Sequence, residues 1–403
     1  MRLHNPPRIR SLANPPHSSA PPSHRVRIPS GSHLASARSI SSTRRTAEKV
    51  RAVPHRDTFA RVRFTVADVP PPSVWAPRAR DLLLPEDDKL IHPEACSEAC
   101  GRYAALAISG ERGWRHRALS ASVSSHGNDS RILLYTLHYA AVMMITRPPV
   151  LAGHLATHIL HTGAMLDYAP SALTLARIAL RRGLFNGPQF LDARGAVERL
   201  ARKDSNSSPY YRPDALTLLG LAQIQRQNQQ AGADPEADDR ALRYFEEAAQ
   251  IFADARRGSG DGDGRPAAVA WQWFSSAVLA QARIYLRRGW ERAAVTALRI
   301  GVYELDNAEA HYELAQLLRT PSPGETEPGT RREGEKGGGA GEWMNLLQKA
   351  AISNVDAAAR ELAHLELCRA DAGTDGEDGL TARERRVLAD EWLGIAGDEA
   401  TVN

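Results

Sequence analysis

The chain has 403 residues, 51 Lys and Arg against 47 Asp and Glu, and a formal net charge of +4. Residues 1–47 hold eight Arg (Arg2, Arg8, Arg10, Arg25, Arg27, Arg38, Arg44, Arg45), no Lys and no acid, so they carry +8 and leave −4 on the remainder. A mildly acidic body argues against a basic nucleic-acid-binding domain, and three cysteines cannot form a disulfide framework for a chain this long.

Residues 1–40 read as a mitochondrial targeting presequence, disordered as an isolated arm. They are rich in Arg and Ser, free of acid, and lack an apolar run suited to secretion. A positive arm is drawn inward by the inner-membrane potential, and an acid would oppose that pull. Ala37-Arg38-Ser39-Ile40-Ser41-Ser42 is similar to matrix-processing sites, and cleavage is expected after Ser39 or Ile40, placing the mature chain in the matrix. Seven prolines in the first 30 residues oppose an amphipathic helix there, so the best helical candidate is 33–45, with Leu34, Ala37 and Ile40 on one side. A chloroplast address and a basic tail for nucleic acid or membranes are the alternatives.

Residues 41–95 read as a Pro-rich linker. Pro54, Pro70, Pro71, Pro72, Pro77, Pro85 and Pro93 oppose long helices, and the alternation from Phe59 to Val66 suits one short extended segment. Residues 96–167 follow as an N-terminal helical segment. Cys96 and Cys100, four apart, share a helical face as two ordinary thiols, with a redox pair or half a metal site as the alternatives. The most apolar stretch, Ile132–Ile145, spans about 21 Å as a helix against a hydrocarbon core of about 30 Å, and is expected to be a buried core helix. The next, Val150–Met165, is interrupted by Gly153 and three histidines. No transmembrane span is expected, and peripheral attachment to a membrane stays open. His154, His158 and His161 fall at i, i+4 and i+7, with His138 in the preceding helix. Two imidazoles one turn apart can share zinc, but no acid stands at ligand spacing before Asp167, so a packed or solvated histidine face is the expectation.

Internal repetition begins near residue 168. Ala176-Arg177-Ile178-Ala179-Leu180-Arg181-Arg182-Gly183 returns as Ala282-Arg283-Ile284-Tyr285-Leu286-Arg287-Arg288-Gly289, seven of eight residues identical at a spacing of 106. That is close to three periods of about 35 residues. Ala172-Leu173-Thr174-Leu175 returns as Ala215-Leu216-Thr217-Leu218, and Ala308–Ala315 is echoed by Asp356–Ala363. Each unit reads as two amphipathic helices. In 240–256, Ala241, Tyr244, Phe245, Ala248, Ile251, Phe252 and Ala255 form a stripe. In 267–286, Trp271, Phe274, Val278, Ala282 and Tyr285 form another. Gly183 and Gly289, each after Arg-Arg, suit left-handed helix caps. First helices are expected near 170–183, 213–227, 267–288, 307–319 and 355–369, and second helices near 190–203, 239–256, 290–304, 342–353 and 381–396, the last within a C-terminal helix and tail over 371–403.

These units resemble the tetratricopeptide repeat and the related Sel-one-like repeat over 168–370. Tyr285, Gly289, Ala294 and Leu298 carry the helix–turn–helix spacing, and Ala241, Phe245 and Ala248 the small–large–small positions of a second helix. Trp343, Leu347-Gln348-Lys349-Ala350-Ala351, Asn354 and Asp356-Ala357 are similar to the second helix and turn of a Sel-one-like unit. The Trp and Tyr of the family's first helix are mostly absent. The resemblance implies an all-α superhelical solenoid of helix–turn–helix repeats that binds proteins on its concave face. Residues 257–266 and 320–341, Gly-rich and charged, are expected to be mobile insert loops.

The remaining motifs fail on chemistry. Glu361 and His364 form one Glu-x-x-His, and di-iron bundles need two. Asp261-Gly262-Asp263-Gly264 has Arg265 at the fifth position of a calcium loop and Gln272 at the twelfth. Gly329–Gly334 has phosphate-loop spacing, but Glu335 replaces the Lys. No cofactor, metal site or catalytic motif is therefore expected. The leading reading is a mitochondrial scaffold or adaptor for protein partners, such as an assembly factor for a respiratory or ribosomal complex. An organellar RNA-binding array is the alternative, which would need a continuous Arg stripe along the concave face.

Overall fold

A computed structural model describes residues 62–81, 88–121, 131–146, 152–202, 209–229, 234–258, 271–319, 339–372 and 379–397, all within one compact unit, Ala52–Asn403. The presequence, with Ser39 and Ile40, lies outside the described residues. The described fold is almost entirely helical. Among the described residues strand is confined to one parallel bridge between β1 (Leu119–Ser120) and β2 (Ile132–Leu133).

Five helices come before the repeats: α1 (Pro72–Asp81), α2 (Pro93–Ser109), α3 (Trp114–Ala118), α4 (Leu134–Ile145) and α5 (Gly153–Met165). The stretch read as a linker packs more than its prolines suggested. Pro72 and Pro93 open α1 and α2, where the missing N–H is not needed and the fixed φ suits the first turn. Val62–Thr65 is irregular, not a strand, and runs into a 3-10 turn at Val66–Asp68, where Asp68 accepts the Thr65 N–H at 2.6 Å. Phe64 and Trp75 are buried in the core that holds Tyr103 and Leu137, and the Trp75 indole donates to the Pro70 carbonyl at 3.0 Å. α4 is the expected core helix, and no described helix is long and apolar enough to cross a membrane.

The repeats form five helix pairs: α6 (Ala169–Arg181) with α7 (Leu191–Ala201), α8 (Arg212–Gln229) with α9 (Pro235–Gly258), α10 (Phe274–Arg287) with α11 (Glu291–Tyr303), α12 (Ala308–Arg319) with α13 (Gly339–Ile352), and α14 (Asp356–Asp371) with α15 (Ala382–Ile395). Each helix packs chiefly on its chain neighbours, the arrangement of a helix–turn–helix solenoid. α10 begins at Phe274 and not near 267, because the Asp214 carboxylate accepts the Trp273 N–H at 3.0 Å and holds a turn at 271–273. Residues 257 and 258 continue α9, and 339–341 open α13. The rest of the two expected inserts lies outside the described residues.

Turn chemistry repeats with the helices. Gly183 and Gly289 both stand at φ 70°. After each, the chain closes back with a paired cap: Leu184 N–H to the Ala179 carbonyl at 2.8 Å, and Trp290 N–H to the Tyr285 carbonyl at 2.8 Å. Asn354 makes the same turn at φ 63°, with Val355 N–H on the Ala350 carbonyl at 3.0 Å. Between paired helices, small residues admit large ones. Ala241, Phe245 and Ala248 are fully buried, and Phe245 lies so close over Gly220 of α8 that a Cβ there would stand 2.5 Å from its ring.

Candidate interaction surface

Side chains tie the first helices of different pairs to one another, from the first pair to the third and then between successive pairs. Arg177 of α6 donates to Ser276 Oγ of α10 at 2.9 Å. Arg283 of α10 reaches Glu309 at 2.9 Å and Glu313 at 2.6 Å, both on α12. Arg319 of α12, which also lies over the Trp343 ring, pairs with Glu361 of α14. Arg177 and Arg283 occupy the same place in the duplicated octapeptide, yet Arg177 meets a hydroxyl and Arg283 two carboxylates. The Arg-Arg pair at its end is neutralised as well: Arg287 binds Asp238 at 2.6 Å and Arg288 binds Asp239 at 2.7 Å, both acids in the first turns of α9. On this face Arg283, Arg287, Arg288 and Arg319 are matched by carboxylates, while Arg181 and Arg182 of the first copy are exposed.

A second polar assembly lies among α2, α3 and α5. The Tyr103 hydroxyl is 2.7 Å from His158 Nδ1 and 2.7 Å from Thr162 Oγ1, and Arg115 Nε donates to Thr162 Oγ1 at 3.2 Å. Arg115 Nη2 is 3.5 Å from His158 Nε2. The Tyr103 hydroxyl also donates to the His158 carbonyl at 3.1 Å. Burial, with the Arg115 charge second, pushes the His158 imidazole down to about 4 and keeps it neutral.

The other residues singled out by sequence are packing groups. His154 is exposed, whereas His161 stacks on Phe190 with ring centroids 5.9 Å apart and His138 Nδ1 lies 3.2 Å from Ser171 Oγ. The expected packed or solvated histidine face is thus divided between both conditions. Among the described residues no group of three or more His, Cys, Asp or Glu is placed to hold a metal ion. Glu361 binds Arg319, and His364 faces Cys368 at 3.6 Å. Cys96 and Cys100 are buried, and burial raises the Cys96 thiol to about 12 and Cys100 further, which suits inert core thiols. Asp261–Gly264 and Gly329–Gly334 lie outside the described residues.

Sequence reasoning did not find Tyr103, Arg115, Thr162 or Asp214, which meet partners 47 to 59 residues away. Glu309 and Glu313, one turn apart, could have been matched to the recurring Arg. No protein-family model matches the chain, and neither a curated protein nor a solved structure matches it.

Proposed function

We propose that the protein is a non-catalytic scaffold that holds a protein partner on the concave face of a tetratricopeptide-like or Sel-one-like superhelix in the mitochondrial matrix. The observation that carries this reading is the first-helix face, where Arg283, Glu309, Glu313, Arg319 and Glu361 alternate in sign and lock successive pairs together. Stacked helix pairs present extended surfaces for protein recognition. An RNA groove needs unpaired cations in a row, because phosphate contacts supply most of the affinity. The acid-free N-terminal arm supports the mitochondrial address. An assembly or maintenance role for a respiratory or ribosomal complex fits a rigid adaptor of this kind.

Affinity purification of the tagged chain from isolated mitochondria, with and without nuclease, tests the reading. It predicts import of the precursor and recovery of one set of protein partners that survives nuclease. Exclusion from mitochondria would overturn the address. Recovery of RNA, with proteins lost on nuclease treatment, would overturn the mode of binding.

A further inference from the structure

Beside the Tyr103–His158–Thr162 assembly lies an open cavity of about 270 Å³. Val62, Trp114, Met165 and Leu166 supply an apolar wall. Arg112, Arg115 and Glu111 supply the charges, and Glu111 is engaged by Arg117 at 3.0 Å. Arg115 is held in place from two sides, by Thr162 Oγ1 and by the Trp114 ring, whose centroid is 5.0 Å from its guanidinium carbon.

Arg283, Arg288 and Arg385, as firmly tethered, each face a carboxylate at 2.6 to 2.9 Å. Arg115 has none among the described residues. Its neighbours Tyr103, His158 and Thr162 are more than nine-tenths buried and neutral, so nothing in that floor cancels its charge. A fixed planar cation at an apolar cavity is matched by a carboxylate, which it can bind through two parallel hydrogen bonds. The volume suits a small ligand.

We infer that this cavity binds a carboxylate carried on a small apolar body, with Arg115 as the anchor. A free organic acid and the C-terminal residue of a peptide ending in an apolar side chain share that chemistry. The site is separate from the first-helix face and does not depend on the scaffold reading.

Calorimetry on the full chain tests it, using N-acetyl-leucine, N-acetyl-leucinamide, inorganic phosphate, and a leucine-terminated peptide with a free or amidated end. Saturable binding of the acid is expected, with the amide and phosphate weaker by about tenfold or more. A free-ended peptide tighter than N-acetyl-leucine assigns the site to chain termini, and the reverse assigns it to free acids. Arg115→Gln should reduce binding by about tenfold or more. Because Arg115 also ties α3 to α5, Met165→Glu is the second variant: at the exposed rim, it supplies a carboxylate of the chain's own and should block binding with the melting temperature unchanged. Equal affinity for acid and amide, phosphate binding as tight as the acid, no saturable binding of any carboxylate up to millimolar levels, or a folded Met165→Glu that binds normally would overturn the inference.

Discussion

The region before the repeats and the last three repeat pairs are both helical, yet different residues hold them together. Residues 62–166 bury Phe64, Trp75, Tyr103 and Trp114 in an irregular core, where Tyr103, His158 and Thr162 are joined by long-range hydrogen bonds. Residues 274–396 bury chiefly Ala and Leu, and among their buried polar groups Glu366 and Arg385 form a charged pair between neighbouring helices. One region is specified by singular side chains meeting across the chain. The other is specified by a short pattern used repeatedly, so that each pair needs to fit only its neighbours.

The largest way to break the repeat side of that contrast is Glu366→Ala. Glu366 of α14 and Arg385 of α15 form a buried pair at 2.9 Å, and removing Glu366 takes this carboxylate from a buried guanidinium. A loss of about 3–5 kcal/mol is expected in urea unfolding. A loss below about 1 kcal/mol, the range of exposed pairs, would place the pair in solvent.

Acid sharpens the contrast. Burial raises the Asp214 carboxyl from 3.8 to about 7, against two backbone N–H bonds that lower it. Stability from this group is full below pH 3.8 and is lost as pH rises toward 7, because the folded state holds the proton more tightly. The histidines of the N-terminal region act in the opposite direction. His138 and His158 fall from 6.5 to about 4, so their contribution is full above 6.5 and is lost as pH drops toward 4. The stability difference between wild type and Asp214→Asn should shrink with rising pH by up to about 1.4 kcal/mol per unit. A flat difference between pH 4 and 7 would contradict the assignment.

Ala248→Trp overpacks the contact within the second repeat pair and should cost about 1–3 kcal/mol, visible as a lower melting temperature. Tyr103→Phe tests the other region. It leaves the buried His158 and Thr162 without their shared hydroxyl and should cost about 1–3 kcal/mol in urea unfolding. The smallest effect belongs to Arg283→Ala, below about 1 kcal/mol, because its own guanidinium and Glu309 are at least half exposed. Double-mutant cycles with Glu313→Ala would measure the coupling.

The same contrast explains what could be read from the residues alone. The ten repeat helices were expected within a few residues of their observed ends, apart from the start of α10, because apolar spacing and the Gly183 and Gly289 caps are local signals. α10 misled because a carboxylate nearly sixty residues earlier sets the turn before it. The packed state of Phe64 and Trp75 was hidden because Pro72 and Pro93 read as breakers when they are helix starts. Arg115 was invisible because its hydrogen-bond partners, Thr162 and His158, come from another helix.

The most direct test of the scaffold account is capture of partners from mitochondria by wild type and by a Glu309→Lys, Glu313→Lys, Glu361→Lys triple variant. Reversing these charges makes the first-helix face basic and breaks the ties of Glu309 and Glu313 to Arg283 and of Glu361 to Arg319, so capture is compared for folded protein only. The account predicts that the variant stays folded by circular dichroism and loses the nuclease-resistant protein set recovered with wild type. Undiminished recovery of that set by the folded variant would contradict the central claim that this face holds the partner.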